Sequence, residues 1–216
     1  MLLISHICCT QVNCETDFVA RNETFQTLLS KVTETALTQS QNGPPSNIPL
    51  SVGRLTREDI MPLCVDGEQT VGDLVAKAVG HLSENVVVSR GCVMAATKGL
   101  LSGFIYNNIA SAESAVAMGT YGALLHLLPA DSDADQFTNS ESVQVLGNKI
   151  CQHVVGMNPT VVKVGSSKGV EDAGNALLSQ DYVLDPSLTV GDLVEKNRVK
   201  VTKFVRYALG EDTSDF

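Results

Sequence analysis

The hexapeptide TVGDLV occupies residues 70–75 and occurs again, letter for letter, at residues 189–194. Its threonine and aspartate have the spacing of a helix-capping box. In the longer stretch TVGDLVAKAVGHL (residues 70–82), apolar residues recur every three or four positions and predict a helix with one buried face. A β-rich run follows each copy, at residues 86–88 and 199–209. Either two capping boxes coincide by chance, or the chain contains two related subdomains, each a helix packed on an antiparallel sheet; we favour the duplication.

Further elements lie between the two copies. GFIYNNI (residues 103–109) and YGALLHLL (residues 121–128) join Val86-Val87-Val88 as predicted strands of a hairpin-rich sheet. Helical spacing returns from Ser140, and Gly156 with Pro159 supplies stop signals. The apolar residues with this spacing are Val143, Leu146, Ile150, Val154 and Met157.

A long amphipathic helix is predicted before the first copy, from about Glu23 to Gln39. Asn22 is a good N-cap for it, and Glu23 is favourable in its first turn. The stretch Gly43-Pro44-Pro45 cannot continue the helix and predicts a loop. Its buried face is formed by Phe25, Leu28, Leu29, Val32, Ala36 and Leu37.

The fold class is therefore predicted as α+β: two related helix-plus-antiparallel-sheet subdomains preceded by the long amphipathic helix. The break between the subdomains is expected after Pro159, in VGSSKGVEDAG (residues 164–174). The predicted segments are residues 1–12, an unmatched leader; 13–60, a motif with the long helix and loop; 61–159, the larger subdomain; and 160–216, the smaller subdomain.

The composition favours a protein partner. A net charge of −9 over 216 residues argues against sequence-independent binding of nucleic acid phosphates, which needs a clustered basic face. The opening MLLISHICC is too short to span a bilayer and lacks the basic residues of a signal or transit peptide. The six cysteines form no CxxC pair, which favours a reducing compartment. We expect neither direct nucleic acid binding nor membrane association.

No catalytic constellation stands out. The four histidines, His6, His81, His126 and His153, are scattered without metal-ligand spacing, and the chain contains no glycine-rich phosphate-binding motif. Cys151 and His153 could in principle form a thiol hydrolase dyad. Residues two apart on a helix point to different faces, however, so Cys151 is interpreted as a core residue. We expect no enzyme activity, metal or cofactor.

The stretch NCETDFVARN (residues 13–22) places the bulky Phe18 where helix caps are usually small and polar. Together with Phe25, this stretch resembles the signature of the elongation factor Ts family, the guanine-nucleotide exchange factors of elongation factor Tu. The resemblance extends through TVGDLV and through three further segments. These are CQHVVGMNP (151–159), LLSQDYVLDPSLTVGDLV (177–194) and FVRYALGE (204–211).

The resemblance implies a role in translation elongation, part of protein biosynthesis, without covalent chemistry. Phe18 would enter an apolar pocket in the G domain of elongation factor Tu, in its GDP-bound or nucleotide-free form. Insertion would disturb the magnesium and phosphate contacts and so promote GDP release. The implied partner-binding residues are Thr16, Asp17, Phe18, Val19, Arg21 and Asn22.

The closer likeness is to mitochondrial members, which implies a mitochondrial matrix location although no transit peptide is visible in this chain. Residues 160–177 are too few for the long helical hairpin of bacterial members. The family's small helical domain, which precedes the motif, has no counterpart in the first twelve residues. The alternative function is therefore a truncated elongation factor Tu-binding module or chaperone without efficient exchange. The family's Tyr-x-His strand motif corresponds here to Phe104-Ile105-Tyr106.

Overall fold

The computed structural model describes residues 5–42, 48–110, 114–130, 137, 140–163 and 175–211. The fold is α+β, as predicted, with helices packed beside antiparallel strand pairs. The helices are α1 Asp17–Ala20, α2 Glu23–Gln41, α3 Arg57–Ile60, α4 Val71–Leu82, α5 Glu141–Met157 and α6 Val190–Lys196. The strands are β1 Ser5–Cys14, β2 Leu50–Thr56, β3 Cys64–Val65, β4 Gln69–Thr70, β5 Val86–Ala96, β6 Leu100–Tyr106, β7 Tyr121–Pro129, β8 Asp181–Tyr182, β9 Asp185–Thr189 and β10 Val199–Ala208.

The chain forms two compact units. The first unit comprises His6–Ala95, Asn107–Thr120 and the residues from Ala208. The second unit is built mainly from Ala96–Tyr106 and Tyr121–Tyr207. Within the described ranges, no helix combines the length and hydropathy that crossing a membrane requires.

The first unit contains a sheet in the order β1-β5-β2, and helices α2 and α4 pack against each other. Apolar residues of the helices and of the sheet share one core, in which Val32, Ile60, Val71 and Val88 are fully buried. Because β1 belongs to this sheet, residues 5–12, which the sequence suggested were an unmatched leader, contribute a strand.

The second unit contains a sheet in the order β10-β7-β6, and α5 packs on β6 and β7. Strands β6 and β7 are antiparallel, pairing Leu100 with Leu127 and Tyr106 with Tyr121. The core of this unit is a cluster around Leu125, Leu127, Ile150, Val154, Leu177 and Val190. A Cβ on Gly147 of α5 would lie 2.8 Å from the Ser102 Cβ of β6, so only glycine lets the helix approach this closely.

Both copies of TVGDLV start a helix in the same way. In α4, Thr70 Oγ1 accepts a hydrogen bond from the Asp73 amide at 3.1 Å, and the Asp73 carboxylate accepts one from the Thr70 amide at 2.8 Å. In α6, Thr189 and Asp192 make the same pair of hydrogen bonds at 3.0 and 2.9 Å. The capping boxes predicted from the sequence are therefore formed.

The similarity between the copies extends beyond the hexapeptide. A two-stranded antiparallel hairpin precedes each helix, β3-β4 before α4 and β8-β9 before α6. The Val71 amide donates to the Leu63 carbonyl and the Val190 amide donates to the Gln180 carbonyl, both at 2.9 Å. A long strand, β5 or β10, follows each helix. These shared features support an internal duplication.

The predicted helices and strands are present, with small shifts at their ends. The prediction of one sheet with all three strands is wrong, because β5 lies in the β1-β5-β2 sheet whereas β6 and β7 lie in the β10-β7-β6 sheet. Helix α2 continues to Gln41, and α5 ends through Asn158, which adopts the left-handed conformation at φ 46°, rather than through Gly156. The predicted loop at Gly43-Pro44-Pro45 and the predicted break in residues 164–174 lie outside the described residues. The proposed division into sequence segments stays a prediction.

Candidate functional site

Residues 16–22, which we call the Phe18 turn, connect β1 to α2 through the single helical turn α1. Thr16 is the N-cap of α1: its Oγ1 accepts a hydrogen bond from the Val19 amide at 3.3 Å, and its carbonyl accepts one from the Ala20 amide at 3.2 Å. At the other end, the Arg21 amide donates to the Phe18 carbonyl at 3.2 Å. The turn therefore has a defined backbone conformation.

Asn22 links the Phe18 turn to the next helix. Its Oδ1 accepts a hydrogen bond from the Thr24 amide at 2.8 Å, so Asn22 is the N-cap of α2, as predicted. Gln26, in the first turns of α2, donates from Nε2 to the Ala20 carbonyl at 3.4 Å and to the Ile109 carbonyl at 3.3 Å. These bonds fix the orientation of α1 relative to α2.

The side chains of Phe18 and Val19 have opposite environments. Phe18 is 88% exposed, whereas Val19 is 7% exposed and belongs to the core cluster with Phe25 and Leu28. Successive residues of a helix point in directions about 100° apart, so anchoring Val19 in the core turns Phe18 toward solvent. The first unit thus presents a large apolar ring on a braced turn.

A distant carboxylate also holds the turn. Thr16 Oγ1 donates to the carboxylate of Glu84, with distances of 2.9 and 3.0 Å to its two oxygens. Glu84 follows α4 and is 68 positions from Thr16 in the chain, so no local pattern connects the two residues. Sequence reasoning missed Glu84 for this reason.

Cys14 lies beside the turn but is not poised as a nucleophile. Its Sγ donates to the Thr16 carbonyl at 3.4 Å. Burial raises the pKa of the Cys14 thiol, and the negative charge of Glu84 raises it further. A thiol that stays protonated at neutral pH is a weak nucleophile.

Two charged residues flank Phe18 on the surface. Asp17 and Arg21 are both exposed, and their side chains make no hydrogen bond or ion pair with another residue in the part of the chain that the structure describes. Of the six predicted residues, Asp17, Phe18 and Arg21 are exposed and their side chains do not hold the turn. The other three hold the turn in place: Thr16 and Asn22 as caps and Val19 as a core anchor.

The Cys151 and His153 pair does not form a dyad. Cys151 is fully buried, and burial raises the pKa of its thiol to about 12. His153 Nε2 is 3.0 Å from Gln180 Oε1, and His153 Nδ1 accepts a hydrogen bond from the Val183 amide at 3.2 Å. Both ring nitrogens are thus engaged away from the thiol, and the interpretation of Cys151 as a core residue is confirmed. The described residues contain no group of metal-ligand side chains of sufficient size to hold an ion.

The end of the β6-β7 pair carries a second group of surface aromatics. Tyr106 and Tyr121 are 55% and 38% exposed, and their rings meet edge to face with centroids 6.1 Å apart. The Arg206 guanidinium lies 5.5 Å from the centroid of the Tyr121 ring.

Comparison with known proteins gives consistent matches. A family model described as "Elongation factor TS" matches residues 15–171 and 167–211. The chain is 36% identical to "Elongation factor Ts, mitochondrial" of Nematostella vectensis, over 93% of this chain and 72% of that protein. It is 34% identical to the protein of the same name from Homo sapiens, over 93% of this chain and 61% of the relative. With the Xenopus laevis protein the identity is 32%, over 94% and 64%. The chain thus spans between 61% and 72% of the length of these relatives.

Proposed function

The chain belongs to the elongation factor Ts family, and from this premise we propose that it accelerates GDP release from mitochondrial elongation factor Tu. The observation that carries the proposal is the 88% exposed Phe18 ring at the centre of a turn braced from both sides. The name shared by the relatives supports a mitochondrial site of action, and we place the protein in the matrix.

The driving force is the burial of the Phe18 ring in an apolar pocket of the partner. Burying a phenylalanine side chain that was in water contributes about 1.5–3 kcal/mol. A surface phenylalanine with this exposure has nearly its full apolar area available for such burial. Because caps already fix the turn, little conformational entropy is lost when the ring docks.

Burial of the Phe18 ring promotes nucleotide exchange when only one conformation of the G domain accepts the ring. Binding then shifts the partner toward that conformation by the difference in affinity between the two states. A difference of about 2–3 kcal/mol corresponds to roughly a 30-fold to 150-fold shift in population. If the magnesium and phosphate contacts are distorted in the accepting state, GDP binds more weakly, and by linkage GDP weakens the factor equally.

The other residues of the turn have supporting roles in this proposal. The exposed charges of Asp17 and Arg21 are free to pair with the partner on either side of the ring, which would fix its orientation. Thr16, Val19 and Asn22 act within the chain, because Thr16 and Asn22 cap the helices and Val19 is buried in the core.

The test is the release rate of a fluorescent GDP analogue from mitochondrial elongation factor Tu. The wild-type chain is expected to accelerate release, and Phe18→Ala is expected to reduce that acceleration roughly tenfold or more, because the burial energy is lost. Val145→Ala serves as a control, since Val145 is another exposed apolar residue, 47% exposed, on α5. Acceleration by Phe18→Ala at the wild-type rate would contradict the insertion mechanism.

A second candidate function is binding to elongation factor Tu, or chaperoning it, without efficient release of GDP. Stable binding combined with an unchanged release rate would favour this docking function over exchange.

A further inference from the structure

A groove runs between helices α2 and α4 in the first unit. Three of its lining residues are apolar, two carry hydroxyls and three are basic or imidazole side chains; no carboxylate lines it. The lining residues are Thr24, Thr27, Leu28, Lys31, Leu74, Lys77, Ala78 and His81.

The charge of this groove is opposite to that of the chain as a whole. The chain has 15 basic and 24 acidic residues, yet Lys31, Lys77 and His81 line one groove without a carboxylate among them. Leu28 and Ala78 are buried beneath, and Leu74 is half-buried. An apolar floor with basic groups along it is complementary to a segment that carries both apolar and acidic side chains.

The lysines are not committed to strong partners within the chain. Lys31 Nζ lies 3.9 Å from the Asp66 carboxylate, whose side chain is 85% exposed, and such exposed pairs contribute little. Lys77 Nζ donates to Gln69 Oε1 at 2.8 Å, which is a pair with a neutral amide. The Asp73 carboxylate, one turn before Lys77, accepts two hydrogen bonds from Thr70, and its attraction to Lys77 is a smaller contribution to its lowered pKa. Both ammonium groups can therefore turn to an incoming carboxylate at low cost.

The lining of the groove begins near the Phe18 turn. Thr24 lies in the first turn of α2, two residues after the Asn22 cap that ends the turn. At the same end of the groove, His81 lies in the last turn of α4, and Glu84, which holds Thr16, follows three residues later. A protein that receives the Phe18 ring would therefore extend over the groove.

We propose that the α2/α4 groove binds an acidic segment of elongation factor Tu that also carries an apolar side chain, placing its carboxylates against Lys31, Lys77 and His81. This inference rests on the proposed function, because it concerns the same partner. The contact would add affinity and association rate to the complex, whereas the Phe18 ring would supply the coupling to GDP.

The test is the dissociation constant of the complex with elongation factor Tu, measured by titration calorimetry between 50 and 300 mM salt, values chosen to span strong and weak charge screening. The charge reversal Lys77→Glu/His81→Glu is expected to raise the dissociation constant at least tenfold at low salt and to flatten its salt dependence. The matched control is Lys149→Glu/Gln152→Glu, which adds similar negative charge to exposed positions of α5 and is expected to stay within twofold of wild type. The neutral variant Lys77→Gln/His81→Gln is expected to give an intermediate loss, and it decides the question if the charge reversal impairs folding.

The possible results separate this inference from the proposed function. If both groove variants bind as tightly as wild type while Phe18→Ala loses exchange, the groove proposal is wrong and the exchange function stands. If the groove variants and the α5 control weaken binding equally, the effect is one of overall charge, and the groove proposal is overturned. If the wild-type chain does not bind elongation factor Tu, both proposals are overturned.

Discussion

Two adjacent residues of the Phe18 turn, Phe18 and Val19, have different roles. Val19 contributes to the core of the first unit, and its burial leaves Phe18 outside. Thr16 contributes twice through one hydroxyl group, which accepts from the Val19 amide and donates to Glu84. The buried Val19 side chain and the hydrogen-bonded Thr16 hydroxyl group thus set the position of the exposed Phe18 ring.

Thr16→Ala is predicted to loosen the turn without unfolding the unit. Loss of an N-cap hydroxyl costs about 0.5–2 kcal/mol, and here the bond to Glu84 is lost as well. Hydrogen exchange of the Val19 and Ala20 amides should become faster while the thermal transition moves only slightly. Thr38→Ala, at an exposed position of α2, is the control. Unchanged protection of both amides in Thr16→Ala would show that the cap does not hold the turn.

Buried His153 is predicted to make the protein less stable in mild acid. Burial lowers the pKa of His153 in the folded chain below its ordinary value near 6.5, whereas the unfolded chain titrates normally. The unfolded state therefore binds more protons below about pH 6.5, and the free energy of unfolding falls as the pH falls. Protonated Nδ1 would also face the Val183 amide, which now donates to it.

Urea unfolding at pH 5.0 and pH 7.5 measures this effect. Buried His126, whose pKa is lowered by burial as well, adds to it in the same direction. His153→Gln should reduce the difference in stability between the two pH values. An equal pH dependence in wild type and His153→Gln would mean that His153 does not contribute.

At the scale of elements, the helices of the two copies begin with local signals that the sequence displays directly. Thr70 with Asp73 and Thr189 with Asp192 form the predicted boxes, and Thr56 with Asp59 forms a third at α3 that the sequence reading did not identify. A capping box involves residues three positions apart, so a short window of sequence contains all of it. Strand pairing and the bond from Thr16 to Glu84 join distant residues, and periodicity carries no information about them.

The glycines of the two TVGDLV copies are predicted to differ in their tolerance of alanine. A Cβ at Gly191 would lie 2.8 Å from the Leu178 carbonyl oxygen, whereas at Gly72 the corresponding approach to the Met61 carbonyl oxygen is 3.4 Å. Backbone atoms cannot move aside cheaply, so Gly191→Ala should lower the free energy of unfolding by about 1–3 kcal/mol.

Gly72→Ala is the matched comparison for this prediction. It should be close to neutral, because alanine has a helix propensity about 1 kcal/mol better than glycine and the contact is tolerable. Chemical denaturation of both variants gives the two values. Equal losses in the free energy of unfolding would show that the close approach of Gly191 to the Leu178 carbonyl oxygen does not require glycine at position 191.

For the whole molecule, the helix and strand patterns predicted the α+β class, and the NCETDFVARN motif together with the further matching segments predicted the family. The interleaving of the two units could not be predicted: Asn107–Thr120 belongs to the first unit although the strands on either side belong to the second. Residues 5–12 match none of the motifs that carry the resemblance, and they form most of β1. The unit to which a segment belongs depends on which surfaces are buried together. Contacts between residues far apart in the sequence decide this, and local sequence patterns do not show them.

The exposed Phe18 ring also has a kinetic consequence. If the chain acts as the exchange factor proposed above, the Phe18 ring leaves water on binding and has to return to water before the next partner binds. The energy gained on burial is therefore also part of the barrier to departure, and it lengthens the residence time of the complex. The Phe18 ring is exposed to solvent in the free chain. The energy gained by burying it therefore has to stay small enough for the complex to dissociate before the next round of exchange.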